Sequence, residues 1–348
     1  MAELLRCWMP EKISWGILGA ATIARVCVIP AIEKSHNGIV HALASRFPDR
    51  TAELIKNRNI RKLYGSYDEV LNDPAIDAVY IPLPNHLHHE WTLKALNAGK
   101  HVLCEKPLAC SAKEAREMVE TAEKTHRLLM EAFMYRFHPR SQHIKQLIDE
   151  GTIGLPCLIR TAFCYHMGEE VLMRGENYRL KPEMGGGALL DVGCYGVSVA
   201  RWLFAEEPDQ VQAQAVFNHN GVDIHVAGLL RFPHDRLATI EASFCSALQQ
   251  TYSVVGSDGA IDLPHDAFIP WEHDAEFTVR ARNQERGQAH VVAGADEYQL
   301  MIEHFANVVR GTEKSAIPPA ESISNMRVLD ALAEAAKTGT SIRVIVHD

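Results

Sequence analysis

A chain of 348 residues, 47% of them apolar, can bury a full core and is long enough for two domains. Its formal charge of −9, from 35 basic and 44 acidic residues with no basic cluster, argues against nucleic acid as a partner, which needs a positive footprint. No apolar run reaches the length of a membrane span, and residues 1–12 lack the apolar core of a signal peptide.

A strand predicted over 13–19 ends in glycine, and Ala20-Ala21-Thr22-Ile23-Ala24 opens a helix running to about Lys34. A strand, a tight turn of small residues and a helix make a dinucleotide-binding start. Gly19 holds the first glycine position, with Ala21 and Ala24 in the second and third. Ala24 suits close helix–strand packing. Ala21 crowds the place where backbone approaches a pyrophosphate, so an ordinary β–α turn stays an alternative. Gly19, Ala21, Thr22 and Ile23 are the candidate cofactor contacts. The next strand, over 39–44, ends in Ser45-Arg46. NAD enzymes carry an acidic residue near this point for the ribose 2′-hydroxyl, whereas a hydroxyl and a guanidinium suit a 2′-phosphate. The expectation is NADP, with NAD left open by nearby Asp49.

A helix over 49–57, a short strand near 62–64 and a small helix over 67–71 lead to a buried strand over 77–81. Pro82-Leu83-Pro84-Asn85-His86 stops that strand, and Asn85 is placed to cap the helix that runs to about Ala98. His86, His88 and His89 invite a metal reading, but a site needs three or more converging ligands and no partner is evident, so no metal is expected. Residues 82–88 are read instead as the nicotinamide side of a crevice, with Pro82, Leu83, Asn85 and His88 as contacts.

Lys100-His101-Val102-Leu103-Cys104-Glu105-Lys106-Pro107-Leu108 follows. Val102 to Cys104 reads as a short buried strand. Apolar neighbours cannot satisfy an ammonium, so Lys106 leaves the sheet at its carboxyl end, where ligands bind in open parallel sheets. Pro107 restricts Lys106 to extended backbone. The alternative is a surface loop with a solvated lysine. Glu105 joins Lys106 on the cofactor side. A helix over 111–125 and a strand over 128–132 complete a β–α repeat, which implies a doubly wound parallel sheet.

From His138 the pattern changes. A helix over 141–150 and a strand over 155–165 precede a polar loop over 168–184, which holds Arg179. Gly185-Gly186-Gly187-Ala188-Leu189-Leu190-Asp191-Val192-Gly193-Cys194-Tyr195 then runs into a helix ending near Phe204. Glycines before a helix expose its N-terminal amides. Asp191 and Tyr195 lie four apart on one helix face. A carboxylate and a phenol there read as a site; the alternative is that Asp191 caps amides and Tyr195 packs. Strands over 210–217, 222–232, 236–245 and 252–255 fit an antiparallel sheet with one covered face. The loop over 264–273 carries no readable pattern. Helices over 297–309 and 320–338 and a short strand over 342–346 close the chain. The eight cysteines form no C-x-x-C, and Cys104, Cys157 and Cys245 sit in apolar runs, which reads as reduced core cysteines of a cytoplasmic protein. The domains are set at 1–135, dinucleotide-binding, and 136–348, substrate-binding and oligomerising, with the last helix packing back on the first.

Together, residues 99–107, Pro84-Asn85-His86-Leu87-His88, residues 185–195 and Asn325-Met326-Arg327-Val328-Leu329-Asp330-Ala331-Leu332 resemble the glucose-fructose oxidoreductase / inositol dehydrogenase / rhizopine-catabolism (Gfo/Idh/MocA) family. The resemblance spans Trp15 to Thr338. It implies an α/β fold: an N-terminal Rossmann domain with a doubly wound parallel sheet, then a C-terminal α/β domain with an open, mostly antiparallel sheet through which homodimers or tetramers form. It implies that Lys106 is catalytic and substrate-binding beside the nicotinamide, and that the peptide before Pro107 is cis. Many members carry His where this chain has Tyr195. Tyrosine there, like Ser45-Arg46, is similar to the branch of dihydrodiol dehydrogenase, NADP-dependent xylose dehydrogenase and glucose-fructose oxidoreductase. Ala21 departs from the glycine pattern. The twin-arginine export signal of glucose-fructose oxidoreductases is not present, and a cytoplasmic location is expected.

The expected reaction is hydride transfer between NADP(H) and a secondary or hemiacetal hydroxyl of a sugar or cyclic diol. Tyr195 is the expected acid/base, its phenol pKa of about 10 lowered by Lys106. Lys106 holds the developing alkoxide, and the two roles are open to exchange. Asp191 orients a substrate hydroxyl, and Arg179 is a further substrate contact. Two other readings stand beside this one: a glycosidase that retains NAD(P) and uses transient oxidation, and a non-catalytic cofactor sensor. Lys106, Asp191 and Tyr195 occurring together argue against the sensor, which needs no proton-transfer set.

Overall fold

The computed structural model describes residues 12–344, so the readings of the first eleven residues and of the end of the last strand lie outside it. Six short apolar runs form the first sheet: β1 (Ile13–Leu18), β2 (Gly38–Ala44), β3 (Lys62–Tyr64), β4 (Ala78–Ile81), β5 (His101–Cys104) and β6 (Leu129–Glu131). All pair in parallel, in the order β3-β2-β1-β4-β5-β6. The order reverses between β1 and β4, which opens a crevice at their carboxyl ends. A helical run from Thr22, π-wound over Ala24–Val28, continues as α1 (Ile29–Lys34). With α2 (Pro48–Ile55), α3 (Tyr67–Asn72), α4 (His88–Asn97) and α5 (Ala112–Thr125) it supplies the crossovers. Local signals set the ends: Ser111 Oγ accepts from the Glu114 amide at 3.3 Å to start α5, and left-handed His126 (φ 53°) ends it.

The second sheet follows α6 (Pro139–Asp149) with β7 (Pro156–His166). After α7 (Glu169–Arg174) and α8 (Cys194–Phe204) come β8 (Gln210–Phe217), β9 (Asp223–Phe232), β10 (Arg236–Ser243), β11 (Cys245–Gly256), β12 (Gly259–Leu263), β13 (Ala275–Ala281) and β14 (Gln288–Val292). The order is β14-β13-β12-β11-β7-β10-β9-β8-β15, where β15 is Ile342–Arg343, and the sheet is antiparallel except for the β7–β10 pair. Both sheets match the expected architecture.

Three local readings need correction. The polar loop over 168–184 contains α7 and 3-10 turns at Tyr178–Leu180 and Pro182–Met184. No residue of α7 is buried, so it carries no apolar period to read. The strands β12 to β14 went unread because they are short and β14 is mostly exposed. Cys157 and Cys245 are exposed rather than core residues, since alternate positions of β7 and β11 face outward; all seven described cysteines are free.

α9 (Glu297–Val309) and α10 (Pro319–Thr338) return to the first sheet. Phe305 of α9 packs on Trp15, ring centroids 4.9 Å apart, and Asn37 Nδ2 donates to the Glu303 carbonyl at 2.9 Å. α10 lies against both β8 and α5, and Asp330 Oδ2 accepts from the Ala112 amide at 2.8 Å. Phe305 and Met326 are fully buried, each contributing about 1.5–3 kcal/mol. The two late helices thus hold both sheets in one apolar core, with the crevice between them. Among the described residues no helix is long and apolar enough to cross a membrane.

Candidate active site

The Gly19 amide donates to the Ala44 carbonyl at 2.9 Å, joining the ends of β1 and β2. Gly19 sits at φ 111°, and a Cβ there would lie 3.0 Å from Leu83 Cδ2, so the turn needs glycine. Gly19, Ala21, Ser45, Arg46, Pro82 and Leu83 all line one crevice with Arg25 and Arg50, and among the described residues no acidic one lines it. Arg25 Nε donates to the Ala20 carbonyl at 3.0 Å, bracing the turn. Ser45 is turned inward: its Oγ accepts from Thr51 Oγ1 at 2.7 Å and from the Phe47 amide at 3.2 Å. Ser45 therefore shapes the turn that presents Arg46, and its own hydroxyl hydrogen is left to donate. Three guanidiniums without a carboxylate suit a bound phosphodinucleotide carrying an extra phosphate, so these residues fit NADP.

Pro82 and Leu83 continue into a second crevice of about 510 Å³, also lined by Ala21, Thr22, Ile23, Asn85, Glu105, Lys106, Arg179, Asp191 and Tyr195. β5 delivers Glu105 and Lys106 to its floor. Tyr80 Oη donates to Glu105 Oε1 at 2.6 Å, and burial holds the Glu105 carboxyl above its ordinary pKa. The Lys106–Pro107 peptide is cis, as the resemblance implied. Lys106 Nζ donates to the Asp191 carbonyl at 2.6 Å and lies 3.4 Å from Asp191 Oδ1. Burial opposes the Lys106 ammonium, but Asp191 together with Cys194 and Glu105 outweighs it and holds the lysine above its ordinary pKa. Burial likewise opposes the Asp191 carboxylate, and Lys106 with Arg179 keeps its pKa below the ordinary value. The pair is ionised.

The glycines place Asp191. The Gly187 amide donates to the Arg179 carbonyl at 2.9 Å, and a Cβ on Gly186 would lie 2.5 Å from that same oxygen. The loop therefore folds tightly enough to bring Arg179 over Asp191, with Nε 2.9 Å from Oδ2. The helix starts as a π turn, Leu189–Gly193, before α8. Its leading amides do not face the crevice as expected: the Leu189 amide donates to Asp223 Oδ2 at 2.7 Å. Tyr165, at the end of β7, donates its hydroxyl to Asp191 Oδ2 at 2.9 Å. The Arg179 guanidinium lies 4.5 Å from the Tyr178 ring centroid.

Tyr195 lines the crevice beneath Lys106. Its ring lies under Lys106 Nζ, 5.1 Å from the centroid, while its hydroxyl points to Met134 Sδ at 3.5 Å. Only 3% of the residue is exposed, and burial pushes the phenol well above its ordinary pKa. Lys106 thus lies over the ring, and burial opposes the phenolate. His88 is corrected as a cofactor contact. It is fully buried outside the crevice, its Nδ1 2.9 Å from the Pro107 carbonyl and its Nε2 2.7 Å from the Leu83 carbonyl. Burial lowers its pKa to about 4. Asn85 does not cap α4, because its Nδ2 donates to the Gly185 carbonyl at 2.8 Å across the crevice. His89 turns away to Glu117, so the three histidines do not converge.

Sequence reasoning missed Tyr165, Tyr178, Phe163, Met134, Ile269 and Tyr298, which with Val192 and Leu248 complete the lining. The signal for Phe163 and Tyr165 was available, since alternate residues of one predicted strand share a face. Ile269 and Tyr298 arrive from distant chain segments and carry no local signal.

Residues 13–133 match the family described as oxidoreductase family, NAD-binding Rossmann fold, and residues 141–262 match the GFO/IDH/MocA C-terminal domain. The chain is 36% identical over 331 residues to D-xylose 1-dehydrogenase (NADP(+)) 2 of Haloferax volcanii, across 95% of this chain and 99% of that one. It is 34% identical over 262 residues to trans-1,2-dihydrobenzene-1,2-diol dehydrogenase of Xenopus tropicalis, across 74% and 76% of the two chains. A 3-ketoreductase from Actinomadura kijaniata, solved in complex with NADP and TDP-benzene, superposes with a TM-score of 0.84 at 28% identity, covering 93% of this chain and 98% of that one. With both domain matches in chain order and a relative aligned end to end, the chain belongs to the Gfo/Idh/MocA family of oxidoreductases.

Proposed function

We propose that this chain transfers hydride between NADP(H) and a secondary or hemiacetal hydroxyl of a sugar or cyclic diol. The observation that carries it is the ionised Lys106–Asp191 pair on the floor of a crevice continuous with an arginine-lined one. Relatives named for NADP, xylose and a dihydrodiol support the cofactor and the substrate class. Bound NADP(H) supplies or accepts the hydride at its nicotinamide. Lys106 holds the reacting oxygen. In reduction its ammonium gives a proton to the carbonyl oxygen as the carbon gains hydride; in oxidation the free amine takes the hydroxyl proton. Asp191 fixes the position and charge of Lys106, and the apolar ring of Tyr195 keeps water from beneath it.

Nicotinamide fluorescence with NADPH and NADH tests the cofactor reading. Arg46→Ala should weaken NADPH binding about tenfold or more, the worth of a charged hydrogen bond, and leave NADH unchanged. A screen of aldoses and cyclic diols with NADP⁺ follows. Equal binding of both nucleotides by both proteins, with no turnover of any polyol, would sink the proposal.

The chain is further proposed to form a cytoplasmic homodimer through the second sheet. Val216, Leu229 and Leu237 are exposed on one face of β8 to β10, interspersed with polar residues as in a polar-rimmed interface, and the exposed thiols of Cys157 and Cys245 suit a reducing compartment. Sedimentation as a monomer at micromolar concentration would refute the dimer.

A further inference from the structure

The polyol reading leaves open what the rest of the crevice recognises, and the inference here rests on that reading. Asp191 has two sides. Oδ1 faces Lys106, where the reacting oxygen is held, while Oδ2 accepts from Tyr165 Oη at 2.9 Å and is ion-paired with Arg179, whose Nε lies 2.9 Å away. A phenol has one hydrogen, and Tyr165 has committed it to Asp191, so toward the crevice its oxygen is an acceptor only. A guanidinium is a donor only. Both side chains line the crevice beside Lys106. An acceptor beside a donor is complementary to one group that both donates and accepts. A hydroxyl meets that requirement; a carbonyl or a methylene does not.

We propose that Tyr165, with Arg179, is a specificity-determining residue that reads a second substrate hydroxyl, on the carbon next to the one that gains or loses hydride. The substrate hydroxyl donates to Tyr165 Oη and accepts from the Arg179 guanidinium. The reacting oxygen stays on Lys106. The substrate is thereby restricted to vicinal oxygenation, and an analogue lacking the neighbouring hydroxyl leaves two polar groups of the site unmatched.

Matched substrate pairs test this with the full-length enzyme: D-glucose against 2-deoxy-D-glucose, and trans-1,2-cyclohexanediol against cyclohexanol, each with NADP⁺. Wild type should prefer the hydroxyl-bearing member in kcat/KM, and Tyr165→Phe should lower that member about tenfold more than it lowers the deoxy member. The substitution keeps the ring and its contact with Phe244, centroids 5.3 Å apart, and NADPH binding checks the fold. An equal loss on both members overturns the proposal, because Tyr165 would then act only by holding Asp191. A wild type that binds NADPH but turns over no member of either pair overturns the polyol reading itself, and this inference with it.

Discussion

Replacing Asp191 by Asn removes one charge from the site and little else, because the amide keeps the size and an acceptor oxygen. The consequence falls on Lys106. At 3.4 Å and an effective dielectric near 20, the Asp191 carboxylate stabilises the ammonium by about 5 kcal/mol. That is more than a thousandfold in proton affinity. Burial pulls the other way and the Arg179 guanidinium adds repulsion, leaving Glu105 and the Asp191 carbonyl as the weaker remaining support for the ammonium. Lys106 in Asp191→Asn should therefore lose its proton at far lower pH than in wild type. Trinitrobenzenesulfonate reacts only with the free amine, so its labelling of Lys106, read by peptide mass spectrometry over about pH 6 to 9, reports this directly. Labelling should be negligible in wild type over this range and appear with rising pH in the variant. Carbonyl reduction, which needs the ammonium, should lose rate on the alkaline side in step. The same labelling curve in both proteins would refute the argument that Asp191 sets the charge of Lys106.

Glu131 gives a pH test with the opposite chemistry. Burial raises its carboxyl to about 7, above an unfolded value near 4.3. The folded chain holds a proton that the unfolded chain releases, so this stability is complete below about pH 4.3 and lost as pH rises through 7. Glu131→Gln does not titrate, so the variant's Tm minus that of wild type should increase from about pH 5 to 8; a constant difference would exclude the linkage. At Gly186, a methyl group would press on the Arg179 carbonyl at 2.5 Å and displace the loop that seats Arg179 on Asp191. Gly186→Ala should lower kcat/KM about tenfold or more with NADPH affinity unchanged, and wild-type kinetics in that variant would show the tight fold to be dispensable.

Much of this organisation was legible in the sequence because two signals are local. Buried strand runs bounded by helices read as a parallel sheet, and Lys106 stands where an apolar strand stops. Other features depended on distant chain. Asp191 and Tyr195 were placed on one face by helical spacing, but the π turn at Leu189–Gly193 separates their roles, and the Tyr195 hydroxyl finds Met134 instead. The Ser45 hydroxyl also accepts from Thr51, six residues on, a structural bond with no signal in the strand-end pattern. The loop over 264–273 had no pattern because its key residue serves the interior: Phe268 is fully buried, stacked on Phe163 and 5.3 Å from the Tyr195 ring. Tyr165 could not be assigned before its partner was known, since only contact with Asp191 distinguishes it from a packing tyrosine.

His88 has a consequence for how the two halves of the crevice communicate. With a pKa near 4 its ring is neutral and carries a single hydrogen, yet it faces two carbonyls, Leu83 beside the nucleotide crevice and Pro107 beside Lys106. Only one tautomer grips each. Whichever loop takes the hydrogen is tied down while the other is released, so the loop that greets the cofactor and the loop that carries the lysine compete for one proton.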